Sequence, residues 1–256
     1  MTCGATPDRV PTMMGFITGT GFYELPTISG SSLERVETPY GPVEVTLGSW
    51  HGHRSGFVPR HGASHSVAPS RINYRANLWA LHHLGVTRLI TVCVVGSLRE
   101  DLVPGGLLLV DQFLDLTKGR RADTFFDGAD EVRHTDMTYP YSSALRELLL
   151  AAGEREKLAL APTGTYACLE GPRFETAAEA RMARILGGDV VGMTGYPEVA
   201  LARELDMEIC TVAVVSNFAP GVVGNTVSVE EVLSETSTAA QRLLRLLDTA
   251  VSMAAA

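Results

Sequence analysis

The chain alternates apolar runs of strand length with stretches that carry helical spacing. The runs are "MMGFIT" (13–18), "PVEVTLG" (42–48), "RLITVCVV" (88–95), "GLLLVDQFLDL" (106–116), "LALAPTGTYACLE" (158–170), "DVVGM" (189–193) and "EICTVAVVSN" (208–217). Several lack the apolar–polar alternation of a sheet with one wet face, which is the pattern of strands covered on both sides. Between them, "INYRANLWALHHLG" (72–85), "YSSALRELLLAAGE" (141–154) and "FETAAEARMARILGG" (174–188) read as helices closed by glycines suited to the C′ position. A last helix opens at Ser228, with Glu231 three residues on as a capping box, and runs apolar through Leu233, Leu243 and Leu247. The alternation predicts an α/β fold, a sandwich whose central mixed, mostly parallel twisted sheet is flanked by helices.

Composition narrows this picture. The 256 residues are 45 % hydrophobic and 20 % charged, with no linker, repeat or low-complexity block, so residues 1–256 are expected to form one domain with residues 1–11 flexible. A net charge of −8 argues against a nucleic-acid partner, although a few placed arginines can still bind a small anion. No apolar run approaches the roughly 20 residues that cross a bilayer, and the N-terminus lacks a signal-peptide pattern, so no membrane partner and a cytoplasmic location are expected. Cys3, Cys93, Cys168 and Cys210 lie far apart and form no CxxC, which reads as buried thiols in a reducing compartment.

In open α/β sheets ligands sit beyond the carboxyl ends of strands, so the residues just after the apolar runs are the candidates. "TGTGF" (18–22) offers backbone N–H groups and the Thr20 hydroxyl as an anion cradle. It lacks the third glycine of a dinucleotide fingerprint and the lysine of a phosphate-binding P-loop. "VPRHGASH" places Arg60 beside His61, a planar fork next to a second donor, with surface charge as the plainer reading. His61 and His65 have no third ligand at suitable spacing, so no metal site is expected. "LEGPRFETAAEAR" (169–181) puts Phe174 where an aromatic can stack on a planar base. Its neighbour Glu175 stands near a helix start, where it could equally serve as a cap. "GMTGYPEVALARE" sets Met193 and Thr194 directly after a strand.

Taken in order, "ITGTGF", "PRHGASH", "INYRANLWAL", "VGSLREDLVPGGLLLVDQFLD", "TFFDG", "EGPRFET" and "GMTGYPEVALARE" resemble the trimeric purine nucleoside phosphorylase and 5′-methylthioadenosine phosphorylase family over most of residues 13–247. The resemblance implies a nucleoside phosphorylase fold and phosphorolysis, in which inorganic phosphate attacks C1′ of a purine nucleoside without metal or organic cofactor. It implies phosphate held by Thr20, Arg60, His61 and Thr194 and by backbone around Cys93 and Val94. Met193 is then against the ribose and Phe174 against the base, and Asn217, Arg60 and His61 are the catalytic candidates. It further implies a homotrimer in which His134 of "VRHTDMTYP" serves the neighbouring subunit's site.

Two positions separate the branches of that family. Where methylthioadenosine phosphorylases carry Thr-Asp-Tyr-Asp, this chain reads Ser216-Asn217-Phe218-Ala219, and its Phe174-Glu175 matches the 6-oxopurine branch. The chemistry agrees. Glu175 accepts from N1–H of hypoxanthine or guanine, and a carboxamide at Asn217 both donates to O6 and accepts from N7–H. At the sugar end, inosine phosphorylases have a histidine where "TVSVEEV" places Val229, with Val232 close by. A valine suits a 5′-methylthio group and cannot bond a 5′-hydroxyl; packing of the helix start is the plainer reading. The combination points to S-methyl-5′-thioinosine, with an inosine/guanosine phosphorylase, a methylthioadenosine phosphorylase and a non-catalytic nucleoside binder as alternatives.

Overall fold

The computed structural model describes residues 13–22, 28–62, 66–119, 123–128, 132–223 and 228–254. The expected flexible segment 1–11 and His65 lie outside the described residues, as does the Glu231 side chain of the expected capping box. The strands are β1 (Met13–Thr18), β2 (Ser29–Val36), β3 (Val43–Trp50), β4 (His53–Pro59), β5 (Val86–Ser97), β6 (Leu107–Leu109), β7 (Gln112–Asp115), β8 (Leu160–Ala161), β9 (Thr165–Cys168), β10 (Val190–Gly192) and β11 (Glu208–Phe218). The α-helices are α1 (Tyr74–His83), α2 (Ser143–Arg155), α3 (Ala177–Ile185), α4 (Gly195–Glu204) and α5 (Val229–Ala254).

Among the described residues one sheet contains all eleven strands, in the order β2-β3-β4-β1-β5-β10-β9-β7, with β11, β6 and β8 continuing from the other edge of β5. Six of the ten pairings are parallel, so the sheet is mixed with a parallel centre. β5 is long enough to take β1 alongside its first half and β10, antiparallel, at Gly96–Ser97. β11 runs parallel along its other edge.

The unbroken apolar runs follow from this placement. Leu89, Cys93 and Val95 of β5, with Ile209, Ala213 and Val215 of β11, face a core shared with Leu78 and Leu81 of α1 and Val199 and Leu201 of α4. The intervening Ile90 and Val92, with Cys210, Val212 and Val214, face a second core with Leu145 and Leu149 of α2 and Leu243, Leu246 and Leu247 of α5. Each fully buried leucine contributes about 1.5–3 kcal/mol by leaving water. The one polar pair in this stretch, Thr91 and Thr211, joins its hydroxyls across the strands at 2.7 Å.

Helix ends show what local chemistry decides. Asn73 and Ser142 cap α1 and α2 by accepting from Ala76 N and Leu145 N. Thr176 and Glu179 form a reciprocal capping box on α3. Gly85 (φ 93°) and Gly187 (φ 96°) take the left-handed C′ position, as expected from sequence. Gly153 does not: α2 runs through it to Arg155, and Lys157 (φ 54°) takes the left-handed turn. A Cβ at Gly153 would meet Leu160 Cδ2 at 3.1 Å, so a packing contact explains that glycine.

Candidate active site

The carboxyl ends of β1, β4, β5 and β11 meet where β10 crosses back against β5. A cavity of about 490 Å³ opens there. The turn after β1 is closed by the Thr18 hydroxyl on the Phe22 carbonyl and by Phe22 N on Gly19 O at 3.0 Å. This sets Gly19 and Thr20 at the cavity floor. Gly19 has no room for a side chain: a Cβ there would lie 2.8 Å from Arg60 Nη1 and 3.4 Å from His61 Nε2. Arg60 and His61 follow β4, which is tied to β1 through Arg60 N on Thr18 O at 2.8 Å.

Arg60 is held from behind. Its Nε donates to Glu198 Oε1 at 2.6 Å, Nη2 to Glu198 Oε2 at 2.8 Å and Nη1 to the Val92 carbonyl at 2.8 Å. Both side chains of the pair are 1 % exposed. Burial alone would lower the guanidinium pKa, but the adjacent Glu198 carboxylate outweighs it and holds the group above its ordinary value. Arginine therefore stays charged, with one N–H on each terminal nitrogen left for a ligand. Thr194 lines the same end, with its backbone N donating to the Tyr166 hydroxyl at 3.1 Å.

At the opposite wall the strand β11 is irregular. Val215 pairs with Val95 and Asn217 with Gly96, so Ser216 is the extra residue of a bulge. Asn217 is buried, and its amide is oriented without ambiguity. Nδ2 donates to the Phe218 carbonyl at 2.8 Å, which can only accept, and Oδ1 accepts from the Ser216 hydroxyl at 2.7 Å. One N–H and one lone pair remain. Gly96 makes the room, since a Cβ there would sit 3.3 Å from Asn217 Nδ2.

Glu175 lies on the same cavity with Phe174 and Met193. It is not the helix cap: Thr176 and Glu179 cap α3, and Glu179 also takes Arg173 through two bonds of 2.8 Å. Burial raises the Glu175 pKa, and Glu179 adds to the rise. The remaining wall is the first turn of α5, where Val229, Val232 and Leu233 form an apolar stripe.

Thr20, Arg60, His61, Val94, Phe174, Glu175, Met193, Thr194, Asn217, Val229 and Val232 thus line one cavity. Cys93 and Ala219 do not line it. The Cys93 thiol stands behind the wall, 3.5 Å from Thr194 Oγ1, and burial raises its pKa. Ala219 sits under Gly96, its N donating to Ser97 O at 2.8 Å. His134 is exposed in the 132–137 segment, away from its own cavity. Arg133 beside it is anchored on the Glu204 carbonyl and Asp206. Among the described residues no group of three His, Cys, Asp or Glu side chains could hold a metal ion.

The sequence profile of the phosphorylase superfamily matches residues 14–252. The chain belongs to the phosphorylase superfamily. It is 43 % identical over 246 residues to the 6-oxopurine nucleoside phosphorylase of Pyrococcus furiosus, covering 94 % of this chain and 92 % of that one. It is 41 % identical over 243 residues to a probable S-methyl-5′-thioinosine phosphorylase of Methanothermobacter thermautotrophicus, covering 93 % and 83 %. A methylthioadenosine phosphorylase from Schistosoma mansoni, solved in complex with adenine, superposes with a TM-score of 0.90 at 31 % identity, covering 95 % of this chain and 92 % of that chain.

For a phosphorylase, the residue that sequence reasoning missed is Glu198. Its signal was present in "YPEVALARE": Val199, Leu201 and Ala202 are buried apolar neighbours, so a carboxylate among them needs a buried partner. Ser216 and Gly96 were missed as well, because a bulge leaves no mark on an apolar run.

Proposed function

We propose that this chain catalyses the phosphorolysis of S-methyl-5′-thioinosine, yielding hypoxanthine and 5-methylthioribose 1-phosphate. The observation that carries the reading is the polarity of one cavity: a buried carboxamide beside a carboxylate at one wall, an apolar stripe at another, and an arginine–histidine pair at the floor. Glu175 accepts from N1–H of the base. The open N–H and lone pair of Asn217 meet O6 and the proton of N7 in the leaving purine. Adenine would turn its N1 lone pair toward Glu175, a buried mismatch costing about 1–3 kcal/mol. Val229, Val232 and Leu233 take the methylthio group out of water.

Phosphate binds over Gly19 between Arg60, His61, Thr20 and Thr194. It attacks C1′ as the bond to the purine breaks, and the groups at the base end stabilise the charge that develops on the leaving group. No metal or organic cofactor enters this scheme. The working enzyme is a cytoplasmic homotrimer in which His134 completes the neighbouring subunit's site, consistent with its exposure away from its own cavity.

The names of the relatives in Pyrococcus furiosus and Methanothermobacter thermautotrophicus favour a 6-oxopurine base but differ at the 5′ position, so an inosine/guanosine phosphorylase is the second reading. A phosphorolysis panel of methylthioinosine, inosine, guanosine, methylthioadenosine and adenosine, with and without phosphate, tests both. Methylthioinosine is expected to lead in kcat/KM. Inosine matching it transfers the assignment to the second reading, and phosphate-independent or absent base release removes both.

A further inference from the structure

Thr194 is the N-cap residue of α4, where a threonine hydroxyl ordinarily accepts from an N–H of the first helical turn. Here it makes no such bond. The turn itself is altered, because Tyr196 is extended and Pro197 has no N–H to give. The Thr194 hydroxyl is therefore not held by its own helix, although the residue is buried and lines the anion end of the cavity.

The group that holds Thr194 is Tyr166, on β9. Its hydroxyl oxygen accepts from Thr194 N at 3.1 Å. The ring is wholly buried, and burial keeps the phenol neutral, so it reaches this end of the site as an acceptor without charge. Two glycines clear its path: a Cβ on Gly192 would collide with the phenol oxygen, and one on Gly195 would lie 2.9 Å from the ring Cε1. On the side-chain end of the same threonine, the Cys93 thiol stands 3.5 Å from Oγ1. Tyr166 itself does not line the cavity and meets it only through Thr194. A phenylalanine would fill the same core space, so packing alone does not account for the oxygen.

We propose that Tyr166 is a positioning residue for the anion site, its phenol oxygen fixing the Thr194 backbone so that Oγ1 is presented to phosphate before phosphate arrives. The proposal rests on the reading of the cavity floor as a phosphate site. The tyrosine thus does from the neighbouring strand what a helix cap does elsewhere, and it leaves the threonine hydroxyl for the ligand.

Steady-state kinetics of Tyr166→Phe test this, with KM measured separately for phosphate and for the purine nucleoside that wild type turns over best. The phosphate KM should rise at least about threefold, the weight of a buried N–H left without its partner, with the nucleoside KM within about twofold of wild type. In a Thr194→Val background the same substitution should change the phosphate KM by less than about twofold, because no hydroxyl remains to be placed. Amide hydrogen exchange of wild type reads the contact without any variant: Thr194 N–H should be protected in the absence of phosphate. An unchanged phosphate KM, two KM values that rise together, a full effect in the Thr194→Val background, or a Thr194 amide that exchanges as an open loop does would each overturn the proposal and leave the phosphate site standing. Base release by wild type that does not depend on phosphate overturns both.

Discussion

Glu198 grips Arg60 with both carboxylate oxygens, at 2.6 and 2.8 Å, in a pocket where each side chain is 1 % exposed. The pair couples α4 to the turn after β4, and it fixes the plane of the guanidinium that faces the cavity. Removing one member leaves the other buried and charged, which costs about 3–5 kcal/mol.

Arg60→Ala should therefore lose most turnover and also lower Tm, by roughly 6–20 °C for a chain of this size. Glu198→Gln keeps the shape but sets an amide N–H against Nη2–H, and the KM for phosphate should rise about tenfold or more, equivalent to ~1.4 kcal/mol. Replacing both residues with apolar ones of similar volume should recover stability and not activity. Recovery of phosphate kinetics in that double variant would take the pair out of the anion site.

Asn217 is set by Ser216 and the Phe218 carbonyl, and this constrains any attempt to change the base. Asn217→Asp puts an oxygen against the Phe218 carbonyl, where the amide N–H now sits at 2.8 Å. The variant should lose one to two orders of magnitude on methylthioinosine, about 1.4 kcal/mol per tenfold, without gaining comparable activity on methylthioadenosine. A clean switch to the adenine substrate, measured by kcat/KM on both, would show that the Phe218 carbonyl does not hold the amide.

Much of this site could be read from the chain because its parts stand at the ends of apolar runs. Gly19, Thr20, Met193 and Thr194 stand at the ends of such runs and reach the cavity in space, whereas Arg60 and His61 follow β4, whose "HRSGFVP" was not read as a strand. What escaped reading follows other rules. β2, "SGSSLERV", is exposed at every position but its last, so it carries no apolar signal and exists through its pairing with β3. The run 106–116 reads as one strand, yet it divides into β6 and β7, which pair with β11 and β9 respectively. Likewise 158–170 divides at Pro162–Gly164 into β8 and β9. α4 was not read as a helix, since Gly195, Tyr196 and Pro197 open it with a residue of extended backbone (Tyr196, φ −113°, ψ 138°). Tertiary packing supplies what these segments lack locally.

Burial raises the pKa of Glu175, and stability and activity should respond to it with opposite signs. A carboxyl whose folded pKa lies above its unfolded value contributes stability that is present below the unfolded pKa and is lost as pH rises through the folded one. In the proposed reaction the ionised form is the productive one, because a carboxylate is the stronger acceptor for N1–H and carries no O–H of its own to compete. The acid limb of kcat/KM for methylthioinosine should therefore lie higher in pH than that of an ordinary glutamate, in the window where Glu175 makes the protein less stable by ionising. Glu175→Gln should abolish that limb, lower kcat/KM at all pH values by one order or more (~1.4 kcal/mol per tenfold), and leave neutral-pH stability unchanged or higher. An unchanged limb in the variant would assign the titration to another group.

Val229 stands on the first turn of α5 with Val232 and Leu233, and is 56 % exposed at the cavity edge. With Leu233, 48 % exposed, it leaves an apolar patch at the cavity edge. An apolar side chain held open beside a cavity is accounted for when a ligand covers it. Wild type should then favour methylthioinosine over inosine in kcat/KM. Val229→His should reverse part of that ratio, offering a partner to the 5′-hydroxyl while making the stripe polar. An apolar contact of methyl size is worth about 10–200-fold in discrimination, so the swing should fall in that range or below it. Because the side chain is exposed, the substitution should leave Tm nearly unchanged, which separates a lost contact from a damaged fold. If the variant changes both substrates by the same factor, the 5′ group does not meet Val229, and the preference must be sought at Leu233.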